Sequence, residues 1–102
     1  MVRGTTPEYV LSISGADLTS SDVYVTIAQG SCNITLNGDR LNVSYNDSSS
    51  TSTVTFKLTQ KETLKFKTGK AQVQARFAND GNVDATNIGE IMVYPVLNED
   101  VI

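Results

Sequence analysis

Short stretches in which apolar and polar side chains alternate at every second position recur along this chain of 102 residues. Such alternation places successive side chains on opposite faces of a β-strand, so each stretch predicts a strand with one buried and one exposed face. Clusters of Gly, Asn, Asp, Ser and Thr separate the stretches and are typical of turns. The pattern predicts an all-β, antiparallel two-sheet sandwich of about seven strands. The stretches cover residues 8–14, 23–28, 34–36, 41–45, 54–58, 71–77 and 85–97.

Two polar segments between these strands carry specific predictions. Asn37-Gly38 predicts a tight hairpin that joins residues 34–36 to residues 41–45, because both residues tolerate positive φ. Residues 46–53, NDSSSTST, are small and polar throughout and predict a solvated loop.

The last strand carries two signals of a sheet edge. Its alternation shifts at Gly89, as a β-bulge does, and Pro95 cannot donate to a β-ladder. Lys57 and Lys67 are expected to protect edges in the same way, because a charged side chain discourages pairing with another chain.

A helical signal interrupts the strands near residues 59–65. Thr59 and Glu62 have the spacing of a capping box, in which each side chain bonds the other residue's backbone N–H. One helical turn spans the gap of about 10 Å between two packed sheets. The turn is therefore predicted to be a crossover, which immunoglobulin-like domains place at the equivalent position. Residues 1–7 are expected to form an extended N-terminal arm, and residues 8–102 a single sandwich domain.

Composition excludes several classes of function. A net charge of −3, with 8 Lys and Arg against 11 Asp and Glu, argues against binding to nucleic acid or to a membrane surface. One cysteine and no histidine exclude Cys–His catalysis and the common zinc sites. No signal peptide is recognised at the N-terminus, so folding in the cytoplasm is expected. We find no catalytic constellation, and expect neither enzymatic activity nor a cofactor.

Residues 79–84, NDGNVD, are a weak candidate for a metal site. Asp80 and Asp84, with Asn79 and Asn82, could offer oxygen ligands to Ca²⁺. A hairpin turn uses the same residue types, because Asn, Asp and Gly accept left-handed backbone geometry, and the turn is the preferred interpretation.

Two features predict contacts with other proteins. Five of the eight basic residues lie between Lys61 and Arg76, and Lys65 is among them. They could dock on an acidic partner, and a solvated face is the alternative interpretation. Patches of opposite charge on one protein also permit head-to-tail assembly. Tyr24 is predicted to face outward, because Val23 and Val25 claim the inner face, although cross-strand packing is the alternative.

Three stretches carry a family resemblance: RGTTPEYVLSI at residues 3–13, VTFKLTQKETLKFKTGKAQVQARF at residues 54–77, and VYPVLNEDVI at residues 93–102. Together they resemble small proteins encoded in the tail and baseplate gene clusters of bacteriophages and prophages of Gram-positive bacteria. A looser likeness links the chain to the N-terminal β-sandwich module of baseplate upper proteins.

This resemblance implies a virion protein with a non-enzymatic structural or adaptor role, assembled in the host bacterial cytoplasm. Its partners would be other tail or baseplate proteins, or further copies of itself in a homo-oligomer. We expect contacts through both terminal segments, with Arg3, Thr5 and Pro7 in one and Val101 and Ile102 in the other. The alternative hypothesis is a carbohydrate- or ligand-binding sandwich, with calcium at residues 79–84 as an optional part of it.

Overall fold

The computed structural model describes residues 1–79 and 81–102. The chain forms an antiparallel two-sheet β-sandwich with eight strands and one short helix over these residues, which confirms the predicted fold class with one more strand than expected. A single 3₁₀ turn covers Gly38–Arg40. The strands are β1 Glu8–Ser14, β2 Val23–Gln29, β3 Cys32–Leu36, β4 Leu41–Asn46, β5 Thr51–Lys57, β6 Gly69–Asn79, β7 Asn82–Ala85 and β8 Gly89–Val93, and the helix is α1 Gln60–Leu64.

The order of the strands is that of immunoglobulin-like sandwiches. One sheet has three strands in the order β1-β5-β4. The other has five, in which β3, β2 and β6 are neighbours and both β7 and β8 pair with β6. Because β7 and β8 pair with successive parts of β6, they act as one interrupted edge strand, and the two sheets match the B-E-D and C′-C-F-G arrangement of that fold.

Buried side chains come from every second position of the strands, as the alternation predicts. In β2, Val25 and Ile27 are fully buried, whereas Tyr24 is 46% exposed. Leu18 lies after β1 and Phe66 follows α1, and both are fully buried. These two large side chains therefore add to the core from the connections, outside the strands.

The predicted helical turn is confirmed as α1, in the crossover between β5 and β6. Thr59 Oγ1 accepts the Glu62 N–H at 3.2 Å, and Glu62 Oε1 accepts the Thr59 N–H at 2.8 Å. Both bonds of the predicted capping box are therefore present, and they satisfy two donors at the start of the helix.

The predicted hairpin between β3 and β4 is wrong. β3 pairs with β2 in the five-stranded sheet, whereas β4 pairs with β5 in the three-stranded sheet. Asn37 has an extended backbone with φ −153°, and Gly38 has φ 55°. The Asn-Gly pair does lie at a turn, but this turn carries the chain from one sheet to the other.

The predicted loop over residues 46–53 is also too long. β4 extends to Asn46 and β5 begins at Thr51, which leaves residues 47–50 as the turn. Ser52 is fully buried in β5, where its hydroxyl accepts the Leu18 N–H at 2.9 Å and donates to a backbone carbonyl of the connection after β1 at 2.6 Å. Ser52 is thus a small polar residue of the core whose hydroxyl both accepts and donates a hydrogen bond.

The predicted bulge before Gly89 is confirmed by the register of the edge strand. Ala85 pairs with Arg76, and Gly89 pairs with Val73. Three residues, 86–88, therefore face only two residues of β6, and the extra residue is the signature of a bulge.

Thr86 supplies hydrogen bonds that complete the β-ladder inside this bulge. Its N–H donates to the Ala75 carbonyl at 2.9 Å, and its Oγ1 accepts the Ala75 N–H at 3.0 Å. The Gln74 side chain donates to the Thr86 carbonyl at 2.9 Å. The side-chain hydroxyl therefore replaces the carbonyl that a regular strand would supply to Ala75.

Two of the four features expected at a sheet edge, Lys57 and Lys67, do not lie at an edge. Lys57 ends β5, the central strand of its sheet, and Lys67 lies in the connection before β6, so the edge prediction for both lysines is wrong. Pro95 follows β8 at a sheet edge, and the bulge lies on the same edge, as expected.

The two ends of the sandwich differ in what they carry. β6 has eleven residues and spans about 36 Å, so the strands run along the longest dimension of the molecule, 45 Å. The helix end carries α1, the β2–β3 turn and the starts of β4 and β6. The opposite end carries the connection 15–22 and the turn 47–50.

Candidate interaction surfaces

The segment before β1 lies against the sandwich. Val2 forms a parallel bridge with Tyr94, just after β8. At the other end of the segment, the Pro7 carbonyl accepts the Leu58 N–H at 3.0 Å. The segment predicted to be an extended arm is thus tied at both ends to the body of the same molecule.

Arg3 fixes the middle of this segment to the helix end. Its guanidinium donates to the Phe66 carbonyl at 2.6 Å and to the Leu64 carbonyl at 2.9 Å, and it also pairs with Glu99. The first two bonds satisfy carbonyls at and just after the end of α1, where a helix leaves carbonyls without partners. Arg3 is only 20% exposed as a result.

Thr63 in α1 holds the neighbouring residues. It is fully buried, and its hydroxyl accepts the Gly4 N–H at 2.9 Å and donates to the Thr5 carbonyl at 2.9 Å. The Thr5 hydroxyl donates to the Val2 carbonyl at 2.6 Å. Three residues predicted to contact other subunits, Arg3, Thr5 and Pro7, therefore make intramolecular bonds.

The second predicted contact segment is also anchored near α1. The Gln60 side chain exchanges two hydrogen bonds with the backbone of Ile102, at 2.7 and 2.9 Å. Val101 is 52% exposed and lines a cleft of about 460 Å³ together with Lys57 and Lys61. The Ile102 side chain is fully exposed, so an apolar group remains available beside a basic cleft.

Tyr24 lies on the outer face of the five-stranded sheet, as predicted, and other exposed apolar side chains lie on the same face. Tyr24 and Val83, which is 66% exposed, line one cleft. Ile88, 57% exposed, is placed on the same face by the bulge, and it lines a second cleft with outward residues of β2 and β6. Met92 and Tyr94 follow by strand alternation and are 41% and 53% exposed. We call these five side chains the outer apolar face.

The outer face of the three-stranded sheet has a different character. Within the described strands of that sheet, Val10 is the only exposed apolar side chain on this face, at 59%. The remaining outward positions, apart from Lys57 at the end of β5, are Glu8, Ser12, Ser14, Asn42, Ser44, Asn46, Thr51, Thr53 and Thr55. Exposed apolar groups are thus more numerous on one of the two outer surfaces, which makes that surface the better candidate for contacts with another protein.

The predicted basic residues lie at the helix end. Lys61 and Lys65 are exposed there. Lys65 lines a cleft of about 450 Å³ with Lys67, Lys70 and Ser31. This places two predicted contact residues in or beside clefts lined by lysine.

Arg40 is a site residue that the sequence did not single out. Its guanidinium bonds both carboxylate oxygens of Glu62, at 2.6 and 3.1 Å, and the Lys57 carbonyl at 3.1 Å. Burial raises the pKa of the Glu62 carboxyl, but hydrogen bonds from Arg40 and from the Thr59 N–H outweigh it and hold that pKa below its ordinary value. No local motif links positions 40 and 62, so only the folded structure shows the pair.

The candidate metal site is only partly described. Asp80 lies outside the described residues. Asp84 is exposed, and its Oδ1 accepts the Ala85 N–H at 3.0 Å. Among residues 1–79 and 81–102, no group of three or more His, Cys, Asp or Glu side chains is placed to hold a metal ion.

Comparison with known proteins assigns no function, so the fold and the surfaces are the features from which a function is proposed. No protein family model matches this sequence, and no curated protein matches it significantly. Within the described part of the chain, no helix has both the length and the apolar character needed to cross a bilayer.

Proposed function

We propose that this chain is a non-enzymatic structural or adaptor module of a bacteriophage or prophage tail or baseplate. It would bind a neighbouring subunit through the outer apolar face and act as part of the virion after assembly in the host cytoplasm. The observation that carries the proposal is the contrast between the two outer surfaces, because one exposes five apolar or aromatic side chains and the other mainly hydroxyl and amide groups.

The composition of the outer apolar face suits a protein partner. Tyrosine and methionine are enriched in protein–protein interfaces, and Tyr24, Met92 and Tyr94 supply three of the five exposed groups. Val83 and Ile88 add apolar area, and Tyr24 lies in a cleft next to Arg76. Tyrosine and arginine are among the residue types enriched in interface hot spots.

The tail or baseplate assignment follows from the family resemblance, and the residues that carry this resemblance have a role in the fold. The three resembling stretches meet at the helix end, because Arg3 from the first contacts Leu64 and Phe66 from the second and Glu99 from the third. The resembling residues therefore include those that fix the fold, and a shared fold is what the resemblance implies.

Binding to the proteins encoded by neighbouring genes tests the proposal. Each tail or baseplate protein encoded beside this chain is purified and titrated against it by biolayer interferometry. We expect one of them to bind, and Tyr24→Ala to weaken that binding about tenfold or more, which is the effect of losing an interface hot spot.

A matched control separates this surface from a general loss of fold. Val10→Ser removes an exposed apolar side chain from the other outer face and should leave the affinity unchanged. Failure of every neighbouring tail and baseplate protein to bind contradicts the proposal. So does an equal loss of affinity in the Tyr24→Ala and Val10→Ser variants.

A further inference from the structure

Basic residues are gathered at one end of the sandwich. Seven of the eight Lys and Arg residues lie at the helix end, and the eighth, Arg76, lies on the outer apolar face beside Asp22. Three of the seven are paired with carboxylates. The four that form no ion pair with any described residue are Lys57, Lys61, Lys65 and Lys67.

Acidic residues outnumber basic ones at the opposite end, whereas at the helix end seven basic residues outnumber the acidic residues Glu8, Glu62, Glu90, Glu99 and Asp100. Asp17 and Asp22 lie in the connection after β1, Asp47 lies in the turn after β4, and Asp84 lies in β7. All four are exposed, and none pairs with a basic residue within the described part of the chain. Hydrogen bonds from the Thr19 hydroxyl and N–H hold the pKa of Asp17 below its ordinary value, which favours the charged form of this carboxylate.

The two charged ends cannot neutralise each other within one molecule. They are separated along the 45 Å dimension of the sandwich. At physiological ionic strength, charges separated by more than about 8 Å are largely screened. Their attraction therefore acts only when the basic end of one molecule touches the acidic end of another.

Clefts lie at both ends of the sandwich. The helix end has two open clefts of about 450 and 460 Å³, one lined by Lys65, Lys67 and Lys70 and the other by Lys57 and Lys61. At the opposite end, Asp22 lines a cleft of about 450 Å³ with Thr19 and Ser21. The two ends therefore differ in the charge of the groups that line their clefts.

We propose that copies of this chain associate head to tail, with the acidic end of one molecule seated on the lysine-lined helix end of the next. The contact joins two different surfaces of the same protein, so each added copy leaves one free end of each kind. Such an interface builds an open linear chain and not a closed dimer.

Salt dependence is the first test. Sedimentation velocity of the unmodified protein is measured over a range of concentrations in two buffers. At about 10 mM salt the screening length is roughly 30 Å, and at about 1 M it is roughly 3 Å. We expect the weight-average mass to rise above the monomer mass of 11.0 kDa in the first buffer and to return to it in the second. A monomer at every concentration in low salt overturns the proposal.

Two blocked variants test the pairing of the ends. Lys61→Glu with Lys65→Glu reverses the basic end, and Asp22→Lys with Asp47→Lys reverses the acidic end. In each variant alone both ends carry charge of the same sign, so each alone should be monomeric. In an equimolar mixture both ends of one variant are complementary to ends of the other, so the mixture should associate in an alternating order. No association in the mixture, or association of either variant alone as strong as that of the unmodified protein, contradicts the proposal.

A fourfold variant, which carries all four substitutions, tests whether the two blocked variants lose association only because they are unfolded. It keeps the net charge of −3 and should regain salt-dependent association. Circular dichroism establishes that each variant is folded, and a folded fourfold variant that stays monomeric also contradicts the proposal. Val10→Ser, on the outer face of the three-stranded sheet, should leave association unchanged. Association is measured without any tail or baseplate protein, so its outcome and that of the binding test are independent.

Discussion

Arg40 and Glu62 join two connections that each pass from one sheet to the other. Arg40 Nη2 lies 2.6 Å from Glu62 Oε1, and Arg40 Nη1 lies 3.1 Å from Glu62 Oε2. Arg40 ends the turn between β3 and β4, and Glu62 belongs to the helix between β5 and β6. Glu62 also closes the capping box with Thr59. One carboxylate, 14% exposed, therefore stabilises a helix start and ties two connections together.

Two substitutions of Glu62 should separate these roles. Glu62→Gln keeps a capping-box side chain and loses the ion pair, and because Arg40 is 43% exposed we expect a loss of about 0.5 to 1 kcal/mol in the free energy of unfolding. Glu62→Ala keeps the bond from its own N–H to Thr59 but also loses the bond from the Thr59 N–H, and should cost about 0.5 to 1.5 kcal/mol more. Urea denaturation measures both. Equal stabilities of the Gln and Ala variants would show that the bond from the Thr59 N–H contributes nothing.

The stability of the protein should fall in acid, partly through Glu62. Its pKa is lower in the folded state than the value of about 4.3 in an unfolded chain. Between these two values the unfolded state binds more protons, so this contribution is complete above the unfolded pKa and is lost as the pH falls through the folded pKa. We expect Glu62→Gln to show a shallower fall than the unmodified protein in urea denaturation below about pH 4.5. Parallel curves would contradict this assignment.

Thr86 should be essential for the bulge through its hydroxyl. Thr86→Val preserves the shape of the side chain but removes the acceptor of the Ala75 N–H, which lies in a fully buried residue. An unsatisfied buried donor costs about 1 to 3 kcal/mol. Thr86→Ser keeps the hydroxyl and should be close to the unmodified protein. Hydrogen exchange at Ala75 should accelerate in the Val variant alone.

Arg3 should control the docking of the segment before β1. Arg3→Ala loses the bonds to the Leu64 and Phe66 carbonyls, and we expect a loss of about 1 to 2 kcal/mol. Arg3→Lys has no planar fork and should recover only part of it. Hydrogen exchange of the Gly4 amide, which bonds Thr63, reports undocking directly. Lys61→Ala, at an exposed position, is the control, and a similar effect there would contradict the role of Arg3.

Local signals predicted the parts of the fold that depend on neighbouring residues. The capping box needs only Thr59 and Glu62, three positions apart, and both of its bonds are present. The bulge appears as a shift of alternation around Gly89, because an extra residue moves every later side chain to the other face. Tyr24 was placed on the outer face by the same alternation.

Pairing between distant residues could not be predicted from one sequence. Asn37-Gly38 has the composition of a hairpin turn, but whether the next strand joins the same sheet depends on contacts far along the chain. Ser52 looks like a loop residue until its partner Leu18, 34 positions away, supplies the N–H that its hydroxyl accepts. The bonds of Arg3 to residues more than sixty positions away were missed for the same reason.

The single extra residue between β7 and β8 changes the path of the edge strand but not the partners of β8. β8 directs Ile91 and Val93 inward and Met92 outward, and each faces the same side as its partner in β6. With one residue fewer between Ala85 and Gly89, two residues would face Gln74 and Ala75, so the ladder would be regular and β8 would keep its partners and its faces. The loss of one codon at this point would therefore straighten the edge while leaving its outward side chains in place.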